Sequence, residues 1–210
     1  MRISIEDLQR QIPYYLTQPQ QEGLIKELRK FPDCNLYTSR GPSDSLQGDG
    51  WTPFEVLSYE TGEKKRTRGI ILSNSCDIAT ENSRVLPPKV TIAPMVALAR
   101  YRQRLARAGV SEDRIESMLR QIKAQEVTSV FYLPAGGNLE EDHIVPLDDV
   151  HSIPIGYWAK TEGRKKLFTL SQVGFYLFLM KLSIHFCRMH EAYDRNGNGN
   201  ADIASPAFAA

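Results

Sequence analysis

The chain has 210 residues, enough for one domain with a substantial core or for one domain that carries extensions, and we favour the second organisation. Its 26 lysines and arginines against 25 aspartates and glutamates give a formal charge of +1, which excludes a strong overall positive field and leaves only local basic patches to attract nucleic acid. The three cysteines are widely spaced and form no CxxC pair, which argues against a disulfide framework or a thiolate zinc site and favours a reducing cytoplasm.

The first 47 residues predict a helical extension followed by a loop. They begin without the apolar segment and small-residue cleavage site of a signal peptide, so we expect a cytoplasmic protein. A capping-box-like start at Ser4 predicts one short helix, and an apolar stripe ending at Leu28 predicts a second helix over residues 20–30. The density of Gly, Ser, Pro, Asn and Asp over residues 33–50 marks a loop.

Three strands are predicted next, over residues 51–59, in the run that starts at Arg68, and over residues 90–95. The run after Arg68 is apolar and ends in small polar residues, which is typical of a buried strand that emerges into a loop. That loop displays Ser73 and Asp77. The stretch from Arg68 to Asp77 is therefore the first candidate for a functional site.

The pattern then changes to two helices and returns to short strands. Residues 97–127 predict an inserted helical hairpin, because two apolar stripes at helical spacing are separated by Ala108-Gly109-Val110. Short strand patterns follow over residues 129–134, 143–147 and 148–155, and their close spacing favours a compact barrel over a parallel sheet with crossover helices.

The chain ends in a predicted apolar helix over residues 167–189 and a flexible tail over residues 194–210. The uninterrupted apolar run in that helix, Phe175–Met180, is six residues long, against the roughly 20 that a membrane span requires, so we expect no membrane association. Since the helix is apolar around most of its circumference, we expect it to contact its own barrel and a second subunit in a homodimer.

The order of these motifs resembles the MazF/PemK family of SH3-like barrels. The matching segments are Gly48-Asp49-Gly50-Trp51, the turn at Thr61-Gly62, Arg68 through Asn74, Val90 through Met95, Tyr132 through Gly136 and Ile144 through Ile153, followed by a C-terminal helix. The resemblance implies that residues 48–193 contain a small SH3-like β-barrel and a C-terminal helix, and it does not cover the N-terminal helices or the inserted hairpin. Together with the pattern along the chain, it predicts an α+β fold in which the barrel carries N-terminal helices, an inserted helical hairpin and a long C-terminal helix.

The resemblance also implies a function, because members of that family are typically dimeric toxins, paired with antitoxins, that cleave single-stranded RNA without a metal. Arg68 matches the family arginine that stabilises negative charge in the transition state. This chain has Gly69 where the family usually has proline, and Val96 where it has a threonine. Either another group, such as Ser73 or Asp77, assists Arg68 in an endoribonuclease with an altered site, or the chain binds RNA without cleaving it.

Basic and aromatic side chains around this stretch add a candidate RNA-binding surface. Lys64, Lys65 and Arg66 are suited to phosphates and Trp51 to base stacking, although a solvated hairpin turn explains the same charge run. A second basic face on the inserted hairpin is interpreted as a lid, an RNA contact or a partner-docking surface, and its members are Arg100, Arg102, Arg104 and Arg107.

We expect no cofactor and no metal, and we carry one alternative from another functional class. In that alternative the chain is a non-catalytic protein-interaction module of a bacterial-type stress or defence system. Cys76 is interpreted as a small buried apolar residue, with a nucleophilic role as the alternative. His143 and His151 flank one predicted strand and are interpreted as ordinary surface or core histidines, with an approach to the Arg68 site as the alternative.

Overall fold

The computed structural model describes residues 22, 26, 34–39, 45–58, 61–79 and 86–186. The fold is mixed α+β. Its strands are β1 (Tyr37–Thr38), β2 (Gly50–Leu57), β3 (Lys64–Ile71), β4 (Lys89–Pro94), β5 (Val96–Ala97), β6 (Val130–Leu133), β7 (His143–Pro146), β8 (His151–Pro154) and β9 (Lys165–Leu170). Its helices in these ranges are α1 (Ser75–Ile78), α2 (Leu98–Arg107), α3 (Glu112–Lys123), α4 (Ile155–Ala159) and α5 (Gln172–Phe186).

The strands form two antiparallel sheets. The larger sheet has the order β1-β9-β2-β3-β4-β8, and the smaller sheet has the order β5-β7-β6. The chain passes from β4 in the larger sheet to β5 in the smaller sheet at Met95, whose amide donates to the carbonyl oxygen of Arg68 at 2.9 Å. Within the described ranges both sheets are open, so the strands do not form a closed barrel, and the Met95 hydrogen bond ties the start of the smaller sheet to β3 at Arg68.

Three apolar clusters fill the spaces between these elements. The first lies under α5 and includes Ile70 and Phe178, which are fully buried. The second includes Phe54 and Trp158, and packs α4 against the larger sheet. The third packs the helical hairpin of α2 and α3 on the smaller sheet around Ile144. The hairpin is therefore fixed to the same sheet that carries β7.

The inserted hairpin is confirmed, since α2 and α3 both lie within residues 97–127. The predicted central strands are confirmed as β2, β3 and β4 with shifted ends. Residues 22 and 26, which lie in the second predicted N-terminal helix, are helical. The rest of the two predicted N-terminal helices and the tail over residues 194–210 fall outside the described residues. The homodimer stays a prediction.

The predicted C-terminal helix over residues 167–189 is wrong at its start. Residues 165–170 form β9, which lies between β1 and β2 in the larger sheet, and α5 begins at Gln172. The Ser171 hydroxyl oxygen accepts from the Gly174 amide at 3.2 Å, as an N-capping residue does. Because Leu167, Phe168 and Leu170 are all buried, β9 lacks the alternation of a half-exposed strand and reads as part of the apolar helix that follows.

The predicted loop over residues 33–50 also contains ordered strand. Tyr37 and Thr38 form β1, in which Tyr37 is the partner of Leu170, and Gly50 opens β2. A two-residue strand is too short to produce a readable alternation, which explains why the sequence pattern missed it.

Candidate functional site

Arg68 lies where β3 changes from an exposed strand to a buried one. Lys64, Lys65 and Arg66 precede it and are exposed, whereas Gly69 through Ile71 are buried. Arg68 is itself exposed. A Cβ atom at residue 69 would lie 2.8 Å from Cδ2 of Phe54, so the glycine makes room for this core ring beside the arginine.

The guanidinium of Arg68 contacts a buried histidine of the smaller sheet. Nη1 of Arg68 lies 3.1 Å from Nε2 of His143, and only 2% of His143 is exposed. Nδ1 of His143 lies 2.8 Å from the carbonyl oxygen of Glu141. Because a carbonyl can only accept, this network assigns the proton to Nδ1 and leaves the Nε2 lone pair to accept from Arg68. His143 in this arrangement is neutral.

The neighbouring carboxylate of Asp142 is directed to other partners. Its Oδ1 accepts from the Ala135 amide at 3.0 Å, and its Oδ2 lies 3.1 Å from Nζ of Lys123. Burial on its own would raise the pKa of Asp142, but hydrogen bonds from Ala135, Tyr132 and Lys123 together lower it. In the described part of the chain, no carboxylate forms an ion pair with Arg68.

Ser73 and Asp77 lie beyond the end of β3 and have different surroundings from Arg68. Three strand residues, about 10 Å, separate Arg68 from the end of β3 at Ile71. The Ser73 hydroxyl oxygen accepts from the Thr91 amide at 2.7 Å and so links the ends of β3 and β4. Asp77 is exposed in the first turn of α1. The hydrogen bonds of the described residues bring neither side chain to Arg68, and their catalytic role stays a prediction.

The basic residues at the start of β3 are exposed, and two of them contact the segment around α4. Nζ of Lys64 lies 3.1 Å from the Tyr157 hydroxyl, and this hydrogen bond raises the pKa of Lys64. Nη2 of Arg66 donates to the carbonyl oxygen of Glu162 at 2.7 Å. These contacts are at the surface, so Lys64 and Arg66 remain accessible to a charged ligand together with Lys65.

Trp51 is part of the core. Only 8% of it is exposed, its ring packs edge-on against Trp158 at 5.6 Å, and Cζ of Arg164 lies 5.1 Å from its centre. Stacking an RNA base on Trp51 would require a free ring face, so this burial does not support the predicted base-stacking role.

The structure brings His143 to Arg68, whereas the sequence favours an ordinary surface or core histidine at this position. His143 lies 75 residues from Arg68 in the chain, and no local spacing pattern connects the two positions. The described residues contain no group of three or more histidine, cysteine, aspartate or glutamate side chains that could hold a metal ion. No helix in those residues is long and apolar enough to cross a membrane.

Comparison with known proteins adds no family to this description, because neither the scan against protein-family models nor the search of curated proteins finds a match to the chain.

Proposed function

We propose that this chain is a MazF/PemK-like protein, with its strands arranged as an SH3-like barrel, that binds single-stranded RNA through Arg68. One observation carries the proposal: Nη1 of the exposed Arg68 lies 3.1 Å from Nε2 of the buried His143. A guanidinium has five N–H donors in a planar fork that matches phosphate oxygens. One nitrogen of Arg68 faces His143, and the donors on the exposed side are suited to a backbone phosphate.

The neutrality of His143 is what favours an external anion. A carboxylate partner would cancel most of the positive charge of Arg68, whereas an imidazole lone pair orients the guanidinium and leaves the charge in place. The carbonyl of Glu141 in turn fixes the ring of His143. We therefore assign His143 as a positioning residue that acts through Arg68, because it is too deeply buried to reach the ligand itself.

Binding is better supported than cleavage by the groups around Arg68. Cleavage without a metal requires a group that accepts the proton of the ribose 2'-hydroxyl while Arg68 stabilises the phosphate charge. Nε2 of His143 already accepts from Arg68, and Val96, opposite Ile144 on β7, carries no hydroxyl. We therefore propose RNA binding as the function, with strand cleavage as a separate readout of the same experiment.

The test is fluorescence anisotropy with a labelled single-stranded RNA of mixed sequence, at low salt and with EDTA present. We expect Arg68→Ala to weaken binding by about 10-fold to 100-fold, since a hydrogen bond to a charged group contributes about 1.5–3 kcal/mol. Arg114→Ala, which removes an exposed arginine from α3, is the matched control and should bind like the natural chain.

Two outcomes would overturn the proposal. If the natural chain does not bind RNA at low salt, the protein-interaction alternative takes its place. If Arg68→Ala binds as tightly as Arg114→Ala, RNA binding stands but the assigned site fails. A denaturing gel of the same samples reports cleavage, which should disappear in Arg68→Ala if it occurs in the natural chain.

A further inference from the structure

Helix α2 carries a row of three exposed arginines on the side away from its packing partner. With 3.6 residues per turn, Arg100, Arg104 and Arg107 fall within an arc of about 60° on the helix surface. Leu98 is buried, and Tyr101 and Leu105 pack with it in the third apolar cluster, on a side of the helix whose centre lies about 130° from that of the arginines. The basic stripe, defined as Arg100, Arg104 and Arg107, is exposed along its whole length.

The acidic residues of α3 neutralise a different arginine. Glu112 and Glu116 both form ion pairs with Arg102, the latter at 3.0 Å. Within the described ranges, no carboxylate is paired with any member of the basic stripe. The hairpin therefore separates its charges: Arg102 is compensated at the interface between the two helices, and the stripe keeps its positive charge.

The helix that carries the stripe begins next to the strand that carries the partner of Arg68. His143, the partner of Arg68, lies opposite Ala97 in the β5–β7 ladder, and α2 starts at the next residue. The Leu98 amide donates to the carbonyl oxygen of Asp142 at 2.9 Å, which fixes the first turn of α2 against this strand. Arg100 follows in that first turn, and the stripe extends about 10 Å along the helix axis to Arg107.

We propose that the basic stripe continues the RNA-binding site of Arg68, so that Arg100, Arg104 and Arg107 bind further backbone phosphates of the same single strand. This inference rests on the function proposed above. A polyanion fits this surface better than a protein partner does, because the exposed residues that flank the stripe on one side, Gln103 and Ala106, offer no large apolar anchor. Phosphate contacts of this kind add affinity without sequence preference.

The experiment measures how the affinity for a labelled 15-nucleotide single-stranded RNA depends on salt. Three variants of the full chain are compared with the natural one: Arg68→Ala, the stripe variant Arg100→Gln/Arg104→Gln/Arg107→Gln, and the control Arg114→Gln/Arg120→Gln/Lys160→Gln. The control removes three exposed positive charges outside the stripe, so both triple variants have the same formal charge. Glutamine is a good helix former, and circular dichroism with a thermal melt checks that each variant is folded.

We expect the stripe variant to bind the RNA at least about tenfold more weakly at low salt. A plot of the logarithm of its binding constant against the logarithm of the salt concentration should have a slope that is shallower by about 2, because each single-strand phosphate contact contributes about 0.7 to that slope. Arg68→Ala should reduce the slope by about 0.7, and the control triple variant should leave it unchanged.

The outcomes separate this inference from the function on which it rests. A natural chain that does not bind RNA overturns both. If Arg68→Ala weakens binding while the stripe variant keeps the natural slope, RNA binding at Arg68 stands and the stripe is a solvated face or a protein-docking surface. If both triple variants lose affinity equally, overall charge explains the effect and the stripe has no specific role.

Discussion

Arg68 and Lys166 lie two strands apart in the larger sheet, yet their charges have different uses. Nζ of Lys166 lies 2.8 Å from Oδ2 of Asp49, a carboxylate that is fully buried. The same ammonium lies 5.3 Å from the centre of the Trp51 ring. Arg68 is exposed, and the one side-chain hydrogen bond that it forms within the described residues is with the imidazole of His143. Lys166 compensates a charge that the fold has buried, whereas the charge of Arg68 compensates nothing in the described residues.

Arg164 belongs with Lys166 in this comparison. Its Cζ lies 4.0 Å from the centre of the Trp158 ring, and burial lowers the pKa of its guanidinium. It therefore packs as a flat side chain on the second apolar cluster and stabilises it by a cation–π contact. A basic residue in the sequence thus says little about ligands until its partners are known. A buried or partly buried cation that packs on a core aromatic ring or pairs with a buried carboxylate supports the fold, whereas an exposed cation held by a neutral acceptor is available to a ligand.

The largest expected effect comes from removing the partner of Asp49. Lys166→Ala leaves this buried carboxylate with the Leu46 amide at 2.9 Å as the donor to Oδ2, while Oδ1 has no hydrogen-bond partner among the described residues. Breaking a buried ion pair costs about 3–5 kcal/mol, so we expect the free energy of unfolding in urea to fall by about 3 kcal/mol.

Lys165→Ala is the matched control for that measurement. Lys165 precedes Lys166 on β9 and is exposed, so its removal should change the free energy of unfolding by less than about 0.5 kcal/mol. Equal urea midpoints for the two variants would contradict the structural role that we assign to Lys166.

The second prediction concerns Lys181, a buried cation that lies in α5. It is fully buried, and its Nζ donates to the carbonyl oxygens of Gln125, at 2.8 Å, and Val127 beyond the end of α3. Burial lowers the pKa of Lys181 from its ordinary value of 10.5 to about 7. Between these two values the unfolded chain holds a proton that the folded chain has released, so the free energy of unfolding should rise with pH.

Lys181→Met should abolish that rise. Lys181 contributes at most about 1.4 kcal/mol per pH unit to the slope of the free energy of unfolding against pH. The contributions of other titratable groups cancel when urea unfolding of the natural chain and of the variant is compared across the pH range. The methionine also removes two hydrogen bonds, which shifts the variant by a constant amount and leaves the slope as the informative quantity. Parallel stability curves between pH 7 and 10 would show that the pKa of Lys181 is not lowered.

Sequence patterns predicted the elements whose exposed and buried sides differ. The hairpin of α2 and α3 has one apolar stripe on each helix, and the predicted insertion over residues 97–127 contains both. β9 is buried along most of its length, so its pattern merged with that of α5. The same limit applies to α5, which is apolar on nearly every side and whose start is fixed by the Ser171 cap. Sequence periodicity reveals an element when one of its faces is apolar and the other is polar. Where both faces are apolar, periodicity cannot locate the residue at which the element begins.

At the candidate site, the sequence pattern identified Arg68 but did not connect it with His143. Arg68 stands out because it ends a basic run and opens an apolar one. Its contact with His143 depends on the passage of the chain at Met95 from β4 into the smaller sheet, where the Met95 amide bonds to the Arg68 carbonyl. No local sequence pattern predicts this passage. The burial of Trp51 has a similar origin, because α4 and Arg164, which cover its ring, come about a hundred residues later in the chain.

The smallest expected effect on stability is also the sharpest test of the comparison. Arg68→Ala should change the free energy of unfolding by less than about 0.5 kcal/mol, because an exposed side chain is lost and water can reach Nε2 of His143 in its place. Urea unfolding of Arg68→Ala beside Lys166→Ala measures the contrast directly. If Arg68→Ala is destabilised as strongly as Lys166→Ala, then Arg68 supports the fold, and a loss of RNA binding in that variant would reflect damage to the protein. If its stability is unchanged while RNA binding is lost, the two cations of the same sheet have separate uses, one in the fold and one in recognition.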